Sequence, residues 1–316
     1  MTTTRRRLGR SGPEITTIGM GTWAIGGPWK FGWGAQDDEA SIAAIRRSLE
    51  LGINWIDTAW VYGFGHSEQV VGRAIKGFRR EDVIVATKGG RARTEDNGAR
   101  GDMRPESVRQ QVHDSLRNLD TDYIDLFQFH WPDTDTGTPV EESWQTLAEL
   151  QDHGLVRWMG VSNFDVPLMQ RCERIRHVDS LQPPYSLLRR DAEAELLPWC
   201  AANGTGVVVY SPMQAGLLTG KFDMARVAPE DWRRKAQWFQ EPALTRNLAF
   251  VEKLRPIAAR TGHTVGHLAV AWTLRRPELT AAIVGARNAA QAEENARGLG
   301  YELTAADLAE IDAALA

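Results

Sequence analysis

Short runs of consecutive apolar residues alternate along the chain with stretches where apolar positions recur every three or four residues. The runs predict strands over 17–23, 53–57, 83–88, 123–130, 156–161, 180–182, 207–210 and 281–284. Between them, Ile42, Ile45 and Leu49 mark one face of a helix that stops near Gly52. Pro105 opens another at its first position, with Val108, Val112, Leu116 and Leu119 as the buried stripe. Thr138-Pro139-Val140-Glu141 has capping-box spacing with Gly154 as the stop, and Asn288 to Gln291 repeats the box. Eight strand–helix alternations without a break in composition predict an α/β fold, a (β/α)8 TIM barrel, with the whole chain 1–316 as one domain. Residues 7–15, with Gly9, Gly12 and Pro13, predict an N-terminal β-hairpin plugging the barrel's bottom, and 304–315 a capped C-terminal helix. The connection from Ser211 to about Thr245 is long and aperiodic, a length that usually serves function.

Composition narrows the function classes. With 316 residues, 42% hydrophobic and 25% charged, the chain is globular rather than disordered. A formal net charge of −4 gives no nucleic-acid footprint, and the basic clusters Arg5-Arg6-Arg7, Arg189-Arg190 and Arg233-Arg234-Lys235 are isolated and read as solvated faces. No apolar run reaches membrane-spanning length, and the N-terminal arginines precede no apolar export segment, so a cytoplasmic protein is expected. Cys172 and Cys200 have no metal-site spacing and suit a reducing compartment. His263 and His267 are i,i+4, but Thr264 stands where a zinc-hydrolase motif needs Glu, so no metal site is expected.

Gly19-Met20-Gly21-Thr22-Trp23-Ala24 matches a dinucleotide fingerprint in letters only. That fingerprint needs a helix opening on its glycines to aim amides at a pyrophosphate, and no helical pattern begins here before Asp37. The glycines are instead expected to permit close approach at a strand end. In a barrel of this kind the active site lies at the C-terminal ends of the strands. The second predicted strand ends at Asp57 and its loop carries Tyr62; the third ends at Lys88 and the fourth at His130. Each has a bland reading alone: a cap, a chain reaching water, a satisfied histidine. From three consecutive strand ends they form a plausible constellation of acid, phenol, amine and imidazole.

These segments resemble the aldo-keto reductase family. Asp57-Thr58-Ala59-Trp60-Val61-Tyr62-Gly63-Phe64-Gly65 with Ser67-Glu68 and Gly72 is similar to its signature around Asp and Tyr. Ala86-Thr87-Lys88 and Gln128-Phe129-His130-Trp131-Pro132-Asp133 are similar to the segments that carry its Lys and His. The resemblance runs from about Leu8 to Asn295, closest to the bacterial branch related to general stress reductases and to potassium-channel β-subunits. It implies NADP(H)-dependent reduction of aldehyde or ketone groups, with NAD(H) as the alternative cofactor. Asp57, Tyr62, Lys88 and His130 would be catalytic: Tyr62 gives the proton, Lys88 lowers the phenol's pKa, Asp57 holds the lysine, and His130 orients the carbonyl.

The resemblance also implies a cofactor path. Gly21, Thr22, Trp23 and Asp57 begin it; Ser162, Asn163 and Gln182 would bind the carboxamide, and Tyr210 would stack on the nicotinamide. Ser211, Pro212, Gln214, Gly216, Leu217 and Lys221 would follow the pyrophosphate. Gly285, Ala286, Arg287, Gln291, Glu294 and Asn295 would hold the adenosine phosphate. Many family members carry a Lys-Ser pair and an Arg there, where this chain has Gly285, Ala286 and Gln291. Among 12 tryptophans, Trp144, Trp158, Trp199 and Trp272 read as core. Trp23, Trp29, Trp33, Trp60 and Trp131 lie at or beyond strand ends, lining a pocket or packing loops; Trp23, Trp60 and Trp131 are the pocket candidates. A small-molecule carbonyl compound is the expected partner, with neither nucleic acid nor membrane, and the residues make no statement on self-association. The alternative from another class is a nicotinamide-cofactor-binding regulatory or redox-sensing subunit with little turnover. An unrelated hydrolase would need paired acids at the mouth, and Glu141-Glu142 sit instead in a helix's first turn.

Overall fold

The computed structural model describes residues 4–30 and 32–315. In chain order come β1 (Arg5–Arg7), β2 (Glu14–Thr16), β3 (Ile18–Gly21), α1 (Asp38–Glu50), β4 (Trp55–Asp57), α2 (His66–Ile75) and β5 (Ile84–Gly89). Then follow β6 (Arg91–Arg93), β7 (Ala99–Gly101), α3 (Pro105–Leu119), β8 (Ile124–Phe129), α4 (Val140–Asp152), β9 (Val156–Ser162), α5 (Val166–Glu173) and β10 (Ser180–Gln182). The last elements are α6 (Leu196–Asn203), β11 (Gly206–Val209), α7 (Ala243–Arg260), α8 (Val265–Leu274), β12 (Ala281–Gly285), α9 (Ala289–Ala296) and α10 (Ala305–Leu315). Eight parallel strands close in the order β10-β11-β12-β3-β4-β5-β8-β9, and helices surround them. This is the (β/α)8 barrel that the alternation predicts, each predicted strand lying within a few residues of an observed one.

The interior follows from the two-residue period of a strand. Trp55, Ala86, Leu126, Val208, Ala281 and Ile283 form an apolar inner cluster with Ile84 and Trp158 at its edge. Leu8 and Ile15 of the β1–β2 hairpin belong to the same cluster, so the hairpin is the bottom plug. Trp55 Nε1 donates to Thr16 O and Trp158 Nε1 to Ser11 O, which satisfies both indoles where they meet it. The G-x-G letters are explained by this packing: a Cβ on Gly19 would lie 2.1 Å from the Trp55 ring, and one on Gly21 would lie 2.6 Å from Ile283 Cγ2. A 3-10 turn, Trp23–Gly26, follows β3, and the first helix waits for its Asp37 cap.

One local expectation needs correction, and the pattern does not predict the β6–β7 hairpin or the helix α7. Thr138 does not cap α4: Pro139 holds the cap position without a side-chain bond, and the Thr138 hydroxyl pairs with Thr136. The β6–β7 hairpin escaped the strand pattern because each strand has only three residues; its Asn97-Gly98 turn was the available signal. The long stretch after β11 is a chain of short 3-10 turns leading into the extra helix α7. Asn288 does cap α9, accepting from Gln291 N, while Gln291 Oε1 accepts from Arg287 N. The α10 box closes reciprocally between Thr304 and Asp307. No described helix is long and apolar enough to cross a membrane.

Candidate active site

The alternation that fills the barrel's lower layers with apolar groups carries polar ones to its upper rim. Trp55 is followed by Asp57, Ala86 by Lys88, and Leu126 by Gln128 and His130, each two residues further along the inward face. Register aligns them: Asp57 sits opposite Ala86, and Lys88 opposite Gln128. A buried ammonium needs acceptors on every side, and Lys88 finds them. Its Nζ donates to Asp57 Oδ1 at 2.6 Å, to Thr58 O at 2.9 Å and to the Tyr62 hydroxyl at 3.3 Å. Gln182 Nε2 donates to the other Asp57 oxygen at 2.8 Å. The His130 ring lies edge-on to Tyr62, with centroids 5.7 Å apart. The four residues expected to act together therefore meet in one cluster, Asp57, Tyr62 and Lys88 buried and His130 half-buried.

Protonation follows from burial and charge. Burial works against the Lys88 charge, but Asp57 and Tyr62 outweigh it, and the ammonium is held above its ordinary pKa. Burial pushes the Tyr62 phenol up, Lys88 pulls it down, and burial prevails. This corrects the expectation that Lys88 would bring the phenol below its usual value: the hydroxyl stays protonated at neutral pH. Burial, with Lys88 and Arg91 nearby, drives His130 well below its ordinary value, so the imidazole is neutral. Its Nδ1 is buried without a hydrogen-bond partner among the described residues, as is Gln128 Nε2. A protonated phenol backed by an ammonium, beside a neutral imidazole, can hand a proton to an oxygen that gains charge.

The next strand ends are bonded among themselves. Asn163, left-handed at φ 61°, donates from Nδ2 to His130 O and to Ser162 Oγ, both at 3.0 Å, and accepts from the Tyr210 hydroxyl at 2.8 Å. Ser162 Oγ donates to Gln182 O. Thr22 is fully buried and donates its hydroxyl to Asp57 O. Past β11 the backbone is left-handed at Ser211, Gln214, Ala215 and Gly216, with Gln214 held by Ser186 Oγ. Pro212 and Leu217 are buried in that turn. A groove lies beyond, lined by Gly216, Thr219, Lys221, Asp223, Arg226 and Arg233, three cations to one acid.

Arg287 does not stand free at the α9 terminus: its Nε donates to Gln36 Oε1 at 2.6 Å and its Nη2 to Ala35 O. Asn295 Nδ2 donates to Gly285 O, next to buried Ala286. The Glu294 carbonyl accepts from His267. That bond accounts for His267, and His263 stacks on Tyr301 at 3.8 Å; no metal-binding group occurs among the described residues. Glu141 is paired with Arg171, which holds its carboxyl down at about 2.

The aromatic residues divide. Trp60 packs edge-on against Phe64, and Trp23 lies 5.1 Å from Trp33 and 6.0 Å from Trp232, joining the loop after β3 to the loop after β11. Trp131 is 47% exposed beside His130. Sequence reasoning missed Trp232 and Arg233: the guanidinium lies over the Trp33 ring, reaches Ala215 O and pairs with Asp231. Position in a basic cluster concealed it; only the long loop hinted at a functional place.

A family model described as "Aldo/keto reductase family" matches residues 17–316. An aldo-keto reductase of Bacillus subtilis is 39% identical over 308 residues, covering 96% of this chain and 91% of the relative. The NADH-specific methylglyoxal reductase of Escherichia coli is 36% identical and covers 95% and 94%. Among solved structures, a glycerol dehydrogenase from Gluconobacter oxydans superposes with a TM-score of 0.90 at 36% identity, covering 100% of this chain and 96% of that one.

Proposed function

The chain belongs to the aldo/keto reductase family, and from that premise we propose that it is an NADP(H)-dependent enzyme reducing aldehyde or ketone groups to alcohols, the whole chain acting as one barrel domain. The observation that carries the reading is the Lys88 ammonium joined both to the Asp57 carboxylate and to the Tyr62 hydroxyl in a buried site. Tyr62 donates the proton to the carbonyl oxygen. Lys88 stabilises the phenolate that remains, and Asp57 balances the charge of the lysine. His130, neutral, directs the carbonyl oxygen towards Tyr62 by a hydrogen bond.

The residues present fit a nicotinamide dinucleotide. The groove with Lys221, Arg226 and Arg233 suits a pyrophosphate, and Tyr210 presents a ring at the end of β11 beside Ser162 and Asn163. When bound, the nicotinamide supplies the hydride. Arg287, at the capped start of α9, is the candidate for the additional phosphate of NADPH, and it must exchange Gln36 for that ligand. Trp23, Trp60 and Trp131 give the substrate an aromatic entrance, which favours uncharged carbonyl compounds. The Escherichia coli relative is named for NADH, so cofactor preference is the sharpest point to test. Oxidation of NADPH and of NADH is followed with a panel of aromatic and aliphatic aldehydes. Multiple turnovers with NADPH favoured are expected. Preference for NADH would overturn the cofactor assignment, and single-turnover behaviour across the panel would favour a sensing subunit.

A further inference from the structure

The first turn of α2 makes more contact with the catalytic cluster than any role assigned above requires. Ser67 and Glu68 are both fully buried. Ser67 Oγ lies 3.0 Å from Thr58 Oγ1 and 2.9 Å from Thr22 Oγ1, and Thr22 Oγ1 donates to Asp57 O at 3.0 Å. Each hydroxyl has one proton, and the Asp57 carbonyl can only accept. Ser67 Oγ also lies 3.2 Å from Thr22 O, so with Thr22 giving its proton to Asp57, Ser67 bonds every neighbour by giving its own proton to Thr22, at the hydroxyl or the carbonyl, and accepting from Thr58. The chain of hydroxyls starts and ends on the Asp57–Thr58 dipeptide. That dipeptide supplies two acceptors of the Lys88 ammonium, the Asp57 carboxylate and the Thr58 carbonyl. The backbone N–H of Ser67 also donates to Tyr62 O at 3.1 Å. On the other side, Thr87, next to Lys88, donates its hydroxyl to Glu68 Oε1 at 2.6 Å, and Asn118 donates to Glu68 Oε2.

We propose that Ser67 is a positioning residue of the reaction: its hydroxyl closes the Thr58–Ser67–Thr22–Asp57 chain that holds the Asp57 and Thr58 acceptors of Lys88 in place relative to the third, the Tyr62 hydroxyl. The inference rests on the reading of Tyr62 as proton donor. Without the Ser67 hydroxyl, Thr58 and Thr22 lose their shared partner inside a buried site, and the dipeptide is free to shift. A shift of that kind acts on the chemical step and leaves the outer binding surfaces alone.

The test is Ser67→Ala, alone and combined with Tyr62→Phe, with steady-state kinetics and cofactor titration on the full chain. The expected result for Ser67→Ala is a fall in kcat of roughly 10–100-fold, the scale of a small misplacement of reacting groups, with substrate KM and cofactor Kd nearly unchanged. In the Tyr62→Phe background the same change is expected to cost almost nothing more, because the group it positions has gone. Thr58→Val removes the first hydroxyl at similar volume and is expected to act in the same direction, so it carries the test if Ser67→Ala does not fold. Unchanged kcat in both variants, or losses that simply multiply with that of Tyr62→Phe, would overturn the inference. Full turnover by Tyr62→Phe itself would overturn the reading beneath it, and the inference with it.

Discussion

The ends of β4, β5 and β8 face the ends of β11 and β12 across one mouth, and the two sides hold their polar groups differently. On the first side the charges are buried: Lys88 and Asp57 are 1% and 3% exposed and meet at 2.6 Å. Removing one partner there leaves the other charged and buried without its counter-charge, at a cost of about 3–5 kcal/mol. On the second side the cations lie on loops. Arg287 is half-buried and bonded to Gln36, Arg233 to Asp231, and Lys221 is exposed at the groove. Exposed Lys221 can change partners at little cost, and half-buried Arg287 and Arg233 must first release Gln36 and Asp231. The difference teaches where to separate the two: on the proposed reading the proton chemistry lies on the buried side and the hold on the cofactor's phosphates on the loops, so mutations should tell them apart.

The strongest way to break that separation is at the phenol. Tyr62→Phe removes the proposed proton donor, and the reduction rate is expected to fall by roughly 10²–10⁴-fold. Cofactor affinity is expected to stay within a small factor, read by quenching of tryptophan fluorescence. Lys88→Met should be as damaging to rate and should also lower the melting temperature, since it leaves Asp57 without its ammonium. A Tyr62→Phe variant that bound cofactor poorly would show that the two sides are coupled after all.

Next in size is the opposite perturbation. Arg287→Ala should weaken NADPH by about 1–3 kcal/mol, the scale of charge-assisted hydrogen bonds, while leaving kcat and NADH affinity nearly intact. Its existing bond to Gln36 offsets part of that gain, so the lower half of the range is the better expectation. Equal losses for the two cofactors would move Arg287 to their shared adenosine or pyrophosphate. Smaller still, Trp131→Ala should raise KM for aromatic aldehydes more than for small aliphatic ones, because a half-exposed indole offers contact area and little else. Equal shifts with a lowered melting temperature would make Trp131 a packing residue.

The same two sides were unequally legible in the sequence. Trp-x-Asp, Ala-x-Lys and Leu-x-Gln-x-His have the strand period written into them, so a reader who finds the strands also finds what faces inward at their ends. The barrel was legible for the same reason, with its plug and caps. The second side depends on contacts across the mouth that no local pattern encodes. That Arg287 meets Gln36, 251 positions away, or that Arg233 lies over Trp33, follows from loop geometry. The Tyr62 phenol shows a third limit. Lys88 at the next strand end suggests a lowered pKa, but burial decides, and burial is a property of the assembled fold.

The smallest expected effect is an absence of change, and it probes the buried side most closely. A free histidine titrates near 6.5, and a solvated His130 would put a limb there in the pH profile of kcat. Burial, Lys88 and Arg91 all disfavour its charged form, so the profile of carbonyl reduction should carry no His130 limb in the ordinary histidine window around pH 6.5. Tyr62 and Lys88, both held above their ordinary values, add no limb in that window. Stability carries the matching signature. Below the unfolded value the unfolded chain takes up a proton that the folded chain refuses, so stability falls as pH drops through that region. His267, also held down by burial, contributes with the same sign. Comparing wild type with His130→Asn isolates the His130 share: the variant's unfolding free energy should lose less on going from pH 7 to pH 5.5. A limb near 6.5 in the wild-type rate profile that disappears in His130→Asn would show the imidazole to be open to water, and the first side of the mouth to be less sealed than its hydrogen bonds require.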